Sequence, residues 1–349
     1  MAAKPVKLRL ADVAERAGVS EATVSRVVND RPGVSTATRN AVLTAIDVLG
    51  IDPPSRMRPR AGALIGLIVP ELSNPIFPAF AQTIENGLAL RGFTPVLCTQ
   101  TPGGVHEDIY VPMLLDRGVA GIIFISGQHA DSGEPIDRYL QLEARGLPMV
   151  LVNGVREGVA ATCISNDDEA ATEYAVTHLL ELGHTAIGLI LGPAQYVPVR
   201  QRDAAFRRRI AAELPDTDLD AMIVNTFYSV EGGAFALRTL VGRGATAVIC
   251  ASDMMALGAI RQARRMGLDV PGDISVIGYD DSLLMSFTDP PLTTLRQNVL
   301  AMSDAIVHAL LAEIGGTPAR HAEFLFPPEL VVRGSTGRVS GSARAAGAG

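Results

Sequence analysis

The sequence predicts an all-α head followed by an α/β body made of two doubly wound parallel-sheet lobes. Two patterns support this prediction. Residues 9–50 place their apolar positions at helical spacing, whereas from residue 64 onward apolar runs of strand length alternate with amphipathic helical stretches. The length of 349 residues suits two or three domains, and a hydrophobic content of 48% is enough for a large core.

Charge is divided unevenly along the chain. The net charge is −7, yet residues 1–60 contain ten Lys or Arg against six Asp or Glu, so the head carries +4 and the rest −11. A basic head on an acidic body is typical of a two-part DNA-binding protein.

The head is expected to contain three short helices. Gly18 ends the first helix, and Ser20 and Ser35 are suitable N-caps for the second and third. Each helix has an apolar stripe that marks its buried side. The stripes are Leu10, Val13, Ala14 and Ala17 in the first helix, Val24, Val27 and Val28 in the second, and Val42, Ala45, Ile46 and Leu49 in the third.

The segment AGVS between the first two helices indicates a helix-turn-helix, because Gly18 permits the tight turn and Val19 closes the junction. The second helix is thin enough for a major groove about 12 Å wide. Its polar outer face predicts DNA contacts, although an unrelated three-helix packing module is an alternative. Arg26 would reach a guanine edge or a phosphate, and the other polar candidates are Ser20, Thr23, Ser25 and Asn29.

Residues 10–50 resemble the head of the lactose-repressor family of bacterial transcription regulators. The pieces DVA, AGVS, ATVSRVVN and VS-x-x-TR occur in the order and spacing of that family. The resemblance implies that Glu21, Ala22 and Arg26 read base edges, and it adds Thr38 to the DNA-contacting set. Glu21 would accept from a cytosine amino group, and Ala22 would contact a thymine methyl.

The stretch IDPPSRMRPRAG, residues 51–62, is expected to be a hinge or linker between head and body. In similar proteins this segment forms a short helix that inserts an apolar wedge into the minor groove. Met57 is the apolar candidate for that wedge, and Pro59 restricts a helix at residues 53–60 to about two turns. A plain basic tether is the alternative.

Eight apolar runs in the body predict strands: LIGLIV, PVLC, GIIFIS, MVLVN, AIGLIL, MIVNT, AVICAS and SVIGYD. The body, like the head, resembles that family over residues 8–334, which implies two lobes of periplasmic-binding-protein type. We expect lobe 1 to contain residues 63–163 and 292–320, and lobe 2 to contain residues 164–291 and 321–334. Residues 335–349 are expected to be a disordered tail.

Two lobes of this type close on a small molecule held between their strand ends. The candidate effector-binding residues lie at or after the ends of predicted strands, except Asn166, which lies at the crossover between the lobes: Phe77, Ser126, Asn166, Tyr196, Arg200, Tyr228, Ser252, Asp253 and Asp280. Asp280 is the strongest candidate, since a strand-end carboxylate accepts from two hydroxyls, whereas Asp253 is also a natural helix N-cap. Tyr196 occupies the position where many relatives have an arginine, and tyrosine stacks on sugar rings.

The expected function is a ligand-responsive transcriptional regulator that binds a pseudo-palindromic operator as a homodimer. The preferred version is a repressor of sugar uptake or catabolic genes that an inducer releases; a corepressor with a non-sugar ligand is the alternative. An enzyme or a solute-capture protein is a weaker alternative, because catalytic and metal-binding motifs are missing from the sequence. No cofactor or metal is expected.

The expected location is the cytoplasm. The N-terminus lacks the apolar segment of a signal peptide, and no stretch approaches the roughly 20 apolar residues that span a bilayer. The cysteines Cys98, Cys163 and Cys250 lie far apart inside or beside apolar runs, as buried reduced thiols do.

Overall fold

The computed structural model describes residues 10–28, 34–49, 62–100, 106–316 and 321–339. The chain divides into two compact units, of which one contains the helical head and the other most of the α/β body. In these described ranges, no helix combines the length and apolarity needed to cross a bilayer.

The head consists of α1 (Leu10–Ala17), α2 (Glu21–Val28) and α3 (Thr36–Val48). Val13, Val24 and Val42, one from each helix, are completely buried and form the centre of its core. Gly18 has a φ of +65°, which lets the chain turn tightly between α1 and α2.

Both predicted caps of the head are present. The Ser20 hydroxyl accepts from the Thr23 amide at 3.2 Å, and the Ser35 hydroxyl accepts from the Thr38 amide at 3.1 Å. The prediction that Leu49 is buried is wrong: α3 ends at Val48, and Leu49 is exposed.

The body alternates strands and helices, and all eight predicted runs form strands. In chain order its elements are β1 (Leu64–Val69), α4 (Ile76–Ala89), β2 (Thr94–Thr99), α5 (Glu107–Asp116), β3 (Gly121–Ile125), a 3-10 helix (Gln128–Ala130), α6 (Asp137–Ala144), β4 (Met149–Val152), β5 (Thr162–Asn166), α7 (Asp168–Glu181), β6 (Ile187–Leu191), α8 (Val197–Glu213), α9 (Leu219–Met222), β7 (Ile223–Asn225), α10 (Val230–Val241), β8 (Ala247–Cys250), α11 (Asp253–Arg265), β9 (Ser275–Asp280), β10 (Thr293–Arg296), α12 (Val299–Ile314), β11 (Glu323–Phe326) and β12 (Glu329–Val331).

The strands form two six-stranded sheets, one in each lobe, as predicted. The sheet of lobe 1 has the order β11-β5-β4-β3-β1-β2, and the sheet of lobe 2 has the order β12-β10-β9-β8-β6-β7. In lobe 1 the neighbouring strands β11, β5, β4, β3 and β1 are parallel to one another. In lobe 2 the neighbouring strands β10, β9, β8, β6 and β7 are parallel, and β12 pairs with β10 antiparallel. The carboxyl ends of the parallel strands therefore face the space between the lobes.

The predicted lobe boundaries are wrong at the C-terminal side. β10 belongs to the sheet of lobe 2 rather than lobe 1, and β11 belongs to the sheet of lobe 1 rather than lobe 2. Helix α12, between them, packs on β3, β4 and β5 of lobe 1, as expected. The chain thus passes from lobe 2 to lobe 1 at Gln297 and returns to lobe 2 between β11 and β12. Which sheet each of these short strands joins is defined only in the folded chain.

The prediction of a disordered tail from residue 335 is also wrong for its first residues. Ser335 is completely buried, its hydroxyl donating to the Val276 carbonyl at 2.6 Å and accepting from the Thr293 amide at 2.8 Å. His184 contacts the Gly337 carbonyl through Nε2 at 3.0 Å. These pairings hold residues 335–339 on lobe 2; residues 340–349 lie outside the described ranges.

Helices α10 and α11 cross at very short range. A Cβ at Gly233 would lie 2.0 Å from the Met255 carbonyl oxygen, and a Cβ at Gly258 would lie 1.9 Å from the Val230 carbonyl oxygen. Because backbone atoms cannot move as a flexible side chain can, both positions require glycine for these helices to pack.

We predict that Gly258→Ala lowers the free energy of unfolding by about 2 kcal/mol or more, since the methyl group forces α10 and α11 apart. Gly242→Ala is the matched control, because Gly242 has a helical φ of −62° and a Cβ there would meet its nearest neighbour at 3.4 Å. Urea unfolding followed by circular dichroism measures both variants. Equal stability of the two variants would contradict the close crossing.

Candidate functional site

A chain of polar side chains, all buried except the half-buried Asn153, connects the two lobes. We call Asn153, Asn166, Gln297, Asp280 and Asn74 the interlobe amide chain. Asn166 Nδ2 donates to Asn153 Oδ1 at 3.1 Å and to Gln297 Oε1 at 2.5 Å. Gln297 Nε2 donates to Asp280 Oδ1 at 2.6 Å, and Asn74 Nδ2 donates to Asp280 Oδ2 at 3.4 Å.

Asp280 is the acidic member of this chain. It ends β9 with a φ of +117° and is only 5% exposed. Burial raises its pKa well above the ordinary value, and the negative charge of Asp253 raises the pKa further. Its two donors come from lobe 1 and from the segment that crosses between the lobes, so the carboxyl lies where the lobes meet.

Ser126 and Asn166 lie at the same end of the lobe 1 sheet. Ser126 follows β3 in the left-handed region, with a φ of +45°, and its hydroxyl accepts from Asn153 Nδ2 at 3.3 Å. Asn166 is 3% exposed, and its Oδ1 is buried with no hydrogen-bond partner among the described residues. An unpaired buried acceptor is costly, so this oxygen is suited to a donor from a bound molecule.

The two candidate tyrosines lie on lobe 2. Tyr196 is half-buried at the start of α8, and its pKa is raised by burial and then by the charges of Asp131 and Glu134. Tyr228 follows β7, and burial raises its pKa to about 12. The Tyr228 ring packs directly on Gly192, where a Cβ would be 2.0 Å from the ring. Because the pKa of each phenol is raised above its ordinary value, both phenols remain protonated at neutral pH.

The candidate Arg200 is exposed, and the buried arginine is Arg202, two residues farther along α8. Arg202 Nε donates to Asp168 Oδ1 at 2.7 Å, and a second nitrogen donates to the Ala251 carbonyl at 3.0 Å. The guanidinium lies 3.7 Å from the centroid of the Tyr279 ring, whose hydroxyl also donates to Asp168 at 3.0 Å.

The sequence prediction missed Asp168, Arg202 and Tyr279. Helical spacing contains the missing information, because the buried positions Val199, Phe206 and Ile210 of α8 place Arg202 on their side and Arg200 on the other. This spacing identifies Arg202 as the inward-facing arginine only once the position of α8 relative to the sheet is known.

Ser252 and Asp253 bond to the protein itself. Ser252 is the N-cap of α11 and accepts from the Met255 amide at 3.3 Å. Asp253 is completely buried, accepting from the Thr294 hydroxyl at 2.6 Å and from the Ser282 amide at 2.7 Å, and burial raises its pKa to about 6. These bonds give both residues a structural role, and their predicted contact with an effector stays a prediction. Phe77 is half-buried near the start of α4.

The outer face of α2 presents the candidate DNA contacts. Glu21, Ala22 and Arg26 are exposed, and Ser25 is half-buried. The hydroxyls of Ser20 and Thr23 lie 2.9 Å apart, and those of Ser35 and Thr38 lie 2.8 Å apart, so these four side chains close the two caps. Asn29 and Met57 lie outside the described residues.

Comparison with known proteins decides the family. Residues 9–53 match the model of bacterial regulatory proteins of the lacI family, and residues 176–336 match a periplasmic binding protein-like domain. Aligned over 95% of its length and 98% of theirs, the chain is 58% identical to the HTH-type transcriptional regulator reg1 of Streptomyces lividans and 57% identical to MalR of Streptomyces coelicolor. The chain belongs to the lacI family.

Solved structures of relatives agree with this assignment. A complex of the transcriptional regulator CelR with cellobiose has a TM-score of 0.70 at 30% identity, covering 94% of this chain and 100% of that one. A lac repressor dimer bound to operator and an anti-inducer has a TM-score of 0.68 at 31% identity, covering 96% and 100%. The predicted fold and the predicted function as a DNA-binding transcriptional regulator are confirmed.

We predict that the free energy of unfolding of this lacI-family protein, compared with that of its Asp280→Asn variant, falls as pH rises from about 4 toward 8. The folded pKa of Asp280 is raised, so the folded state holds its proton more tightly than the unfolded chain, and ionisation above the ordinary value near 3.9 costs stability. Melting temperatures of both proteins across this pH range measure the difference. A difference that grows in favour of the native protein with pH would contradict the raised pKa.

Proposed function

We propose that this regulator represses sugar uptake or catabolic genes in the cytoplasm, and that a sugar bound between the lobes releases it from its operator. The observation behind the proposal is the interlobe amide chain, which puts uncharged hydrogen-bonding groups at the strand ends. Sugars present many hydroxyls and no charge, so such groups match them.

The charges near the cleft favour a neutral ligand. Arg202 is already neutralised by Asp168 and stacked on Tyr279, so it has no free charge for an anion. Burial raises the pKa of Asp280 and so favours the neutral carboxyl, which both donates and accepts hydrogen bonds. The unpaired Asn166 Oδ1 would accept from one hydroxyl, and Tyr196 and Tyr228 offer ring faces of the kind on which sugars stack.

Two solved relatives support a sugar ligand: the CelR complex contains cellobiose, and a lacI-family regulator from Enterococcus faecium contains ribose. Asp280 suits recognition, since its hydrogen bonds among the described residues are to the amides Asn74 and Gln297. We therefore propose binding rather than catalysis. Among the described residues, no cluster of three His, Cys, Asp or Glu side chains could hold a metal ion.

We predict that at least one mono- or disaccharide in a thermal-shift screen of the full chain raises the melting temperature and weakens operator binding. Asp280→Ala and Tyr196→Ala should weaken the response to that sugar at least tenfold and preserve operator binding without it, giving a repressor that stays on its DNA. Stabilisation by purines alone would contradict the sugar, and a sugar that tightens operator binding would make the protein a corepressor-dependent regulator. A normal response of Asp280→Ala would remove this carboxyl from the site.

DNA recognition is assigned to the outer face of α2, with Glu21, Ala22 and Arg26 at the base edges. The arginine is the one most able to make a bidentate contact with guanine. One such head makes few contacts, so two heads held in a homodimer are expected to bind the two half-sites together.

We predict that Arg26→Ala lowers affinity for the operator by about 1–3 kcal/mol and leaves the melting temperature of the body unchanged. If Arg26 reads guanine, the loss is concentrated at one base pair; if it contacts phosphate, affinity falls evenly across sequences. Fluorescence anisotropy with a selected operator and its single-base variants, at fixed salt, separates these cases. Arg145→Ala is the control, because it removes the same charge from an exposed site on lobe 1. Unchanged operator affinity would remove Arg26 from the interface.

The dimer contact is proposed at the apolar segment after β9. Leu283, Leu284 and Phe287 are 85%, 65% and 81% exposed, which is unusual for three large apolar side chains within five residues. Nearby, Arg264 of α11 pairs with Asp289 at 2.9 Å, which gives the patch a polar rim. A second copy of the chain would bury this patch, and the related lac repressor is a dimer on its operator.

We predict that Phe287→Asp gives monomers at micromolar concentration and weakens operator binding, because an unpaired charge opposes burial of the patch. Val155→Asp is the control, since Val155 is an exposed apolar residue of lobe 1. Sedimentation velocity and operator titration measure the two effects. A fully dimeric Phe287→Asp protein would place the dimer contact elsewhere.

A further inference from the structure

A second connection between the lobes lies apart from the interlobe amide chain. The amide and the hydroxyl of Ser132 on lobe 1 both donate to the Gln195 carbonyl on lobe 2, at 3.0 and 2.8 Å. The adjoining residues Asp131 and Tyr196 form an antiparallel β-bridge. We call residues 131–132 and 195–196 together the latch.

The lobe 1 half of the latch is held rigidly. The carboxylate of Glu107, completely buried, accepts from the Gln128 amide at 2.8 Å and from the Tyr139 hydroxyl at 2.6 Å, which fastens both ends of the segment that contains residues 131–132. Arg156 donates to the Asp131 carbonyl at 2.9 Å. These bonds anchor the segment on lobe 1.

The lobe 2 half is equally restricted. Pro193 and Pro198 flank residues 195–196, and the Tyr196 amide donates to the Pro193 carbonyl at 3.3 Å before α8 begins. The Tyr196 phenol experiences the charges of Asp131 and Glu134 of lobe 1. Because each half of the latch is anchored in its own lobe, the two halves pair only when the lobes themselves come together.

We infer that the latch is the element that holds the lobes in the effector-bound arrangement, the one with weakened operator affinity. Both halves follow the carboxyl ends of strands, β3 in lobe 1 and β6 in lobe 2, which is the side of the sheets where the proposed effector site lies. An effector between the lobes and the latch favour the same arrangement, and each strengthens the other. The inference rests on the proposed release by an effector, but its test requires no effector.

The test uses a disulfide in place of the effector. The Cα atoms of directly opposed residues in an antiparallel pair lie about 4.5–5.5 Å apart, which is within the Cα–Cα distance that a disulfide spans. In the full chain, Asp131→Cys with Tyr196→Cys should cross-link on oxidation, whereas Asp131→Cys with Arg200→Cys, one helical turn farther on, should not. The native Cys98, Cys163 and Cys250 are buried, which limits competing disulfides.

We expect the oxidised 131–196 protein to bind operator at least tenfold more weakly than the same sample after reduction with dithiothreitol. Adding Ser132→Ala to this pair should slow cross-linking severalfold, while Thr83→Ala should not, because the Thr83 hydroxyl donates within α4, to the Ala79 carbonyl. Failure to cross-link, or an operator affinity that is unchanged or higher on oxidation, would overturn the latch. If the disulfide weakens operator binding and no sugar does, the latch stands and the proposed sugar effector fails.

Discussion

The buried carboxyl of Asp280 imposes the constraint on which the rest of the body depends. A buried acid needs hydrogen-bond donors, and the two that Asp280 has come from Asn74 of lobe 1 and from Gln297 at a chain crossing. If the lobes separate, the Asn74 contact is lost and water enters. The arrangement of the lobes and the protonation of one side chain are therefore coupled, which is a useful property for a ligand sensor.

The chain passes from one lobe to the other through short segments. Immediately after β5, Asp168 is fixed by Arg202 and Tyr279 of lobe 2, while Asn166, two residues earlier, is bonded within lobe 1 to Asn153. The change of lobe thus takes place within about one peptide unit. Short crossings between well-packed layers favour hinge motion over deformation of either sheet.

The head follows a different design from the body. Its core is small and made mainly of valines, and two hydroxyl caps and one glycine turn define its helices. A core of this size provides modest stability. The acidic body disfavours non-specific DNA contact, and the proposed recognition residues Glu21, Ala22 and Arg26 are exposed on the head.

The sequence alone determined the local elements: the three head helices with the Gly18 turn and the Ser20 and Ser35 caps, and the eight apolar strands. These depend on neighbouring residues, whose spacing is visible in the chain. The tertiary structure decided which lobe receives β10 and β11, that Arg202 rather than Arg200 is buried, and that Asp253 accepts from Thr294 and Ser282. Each of these outcomes depends on partners distant in sequence, and a buried polar group is satisfied by whichever partner the packing brings near.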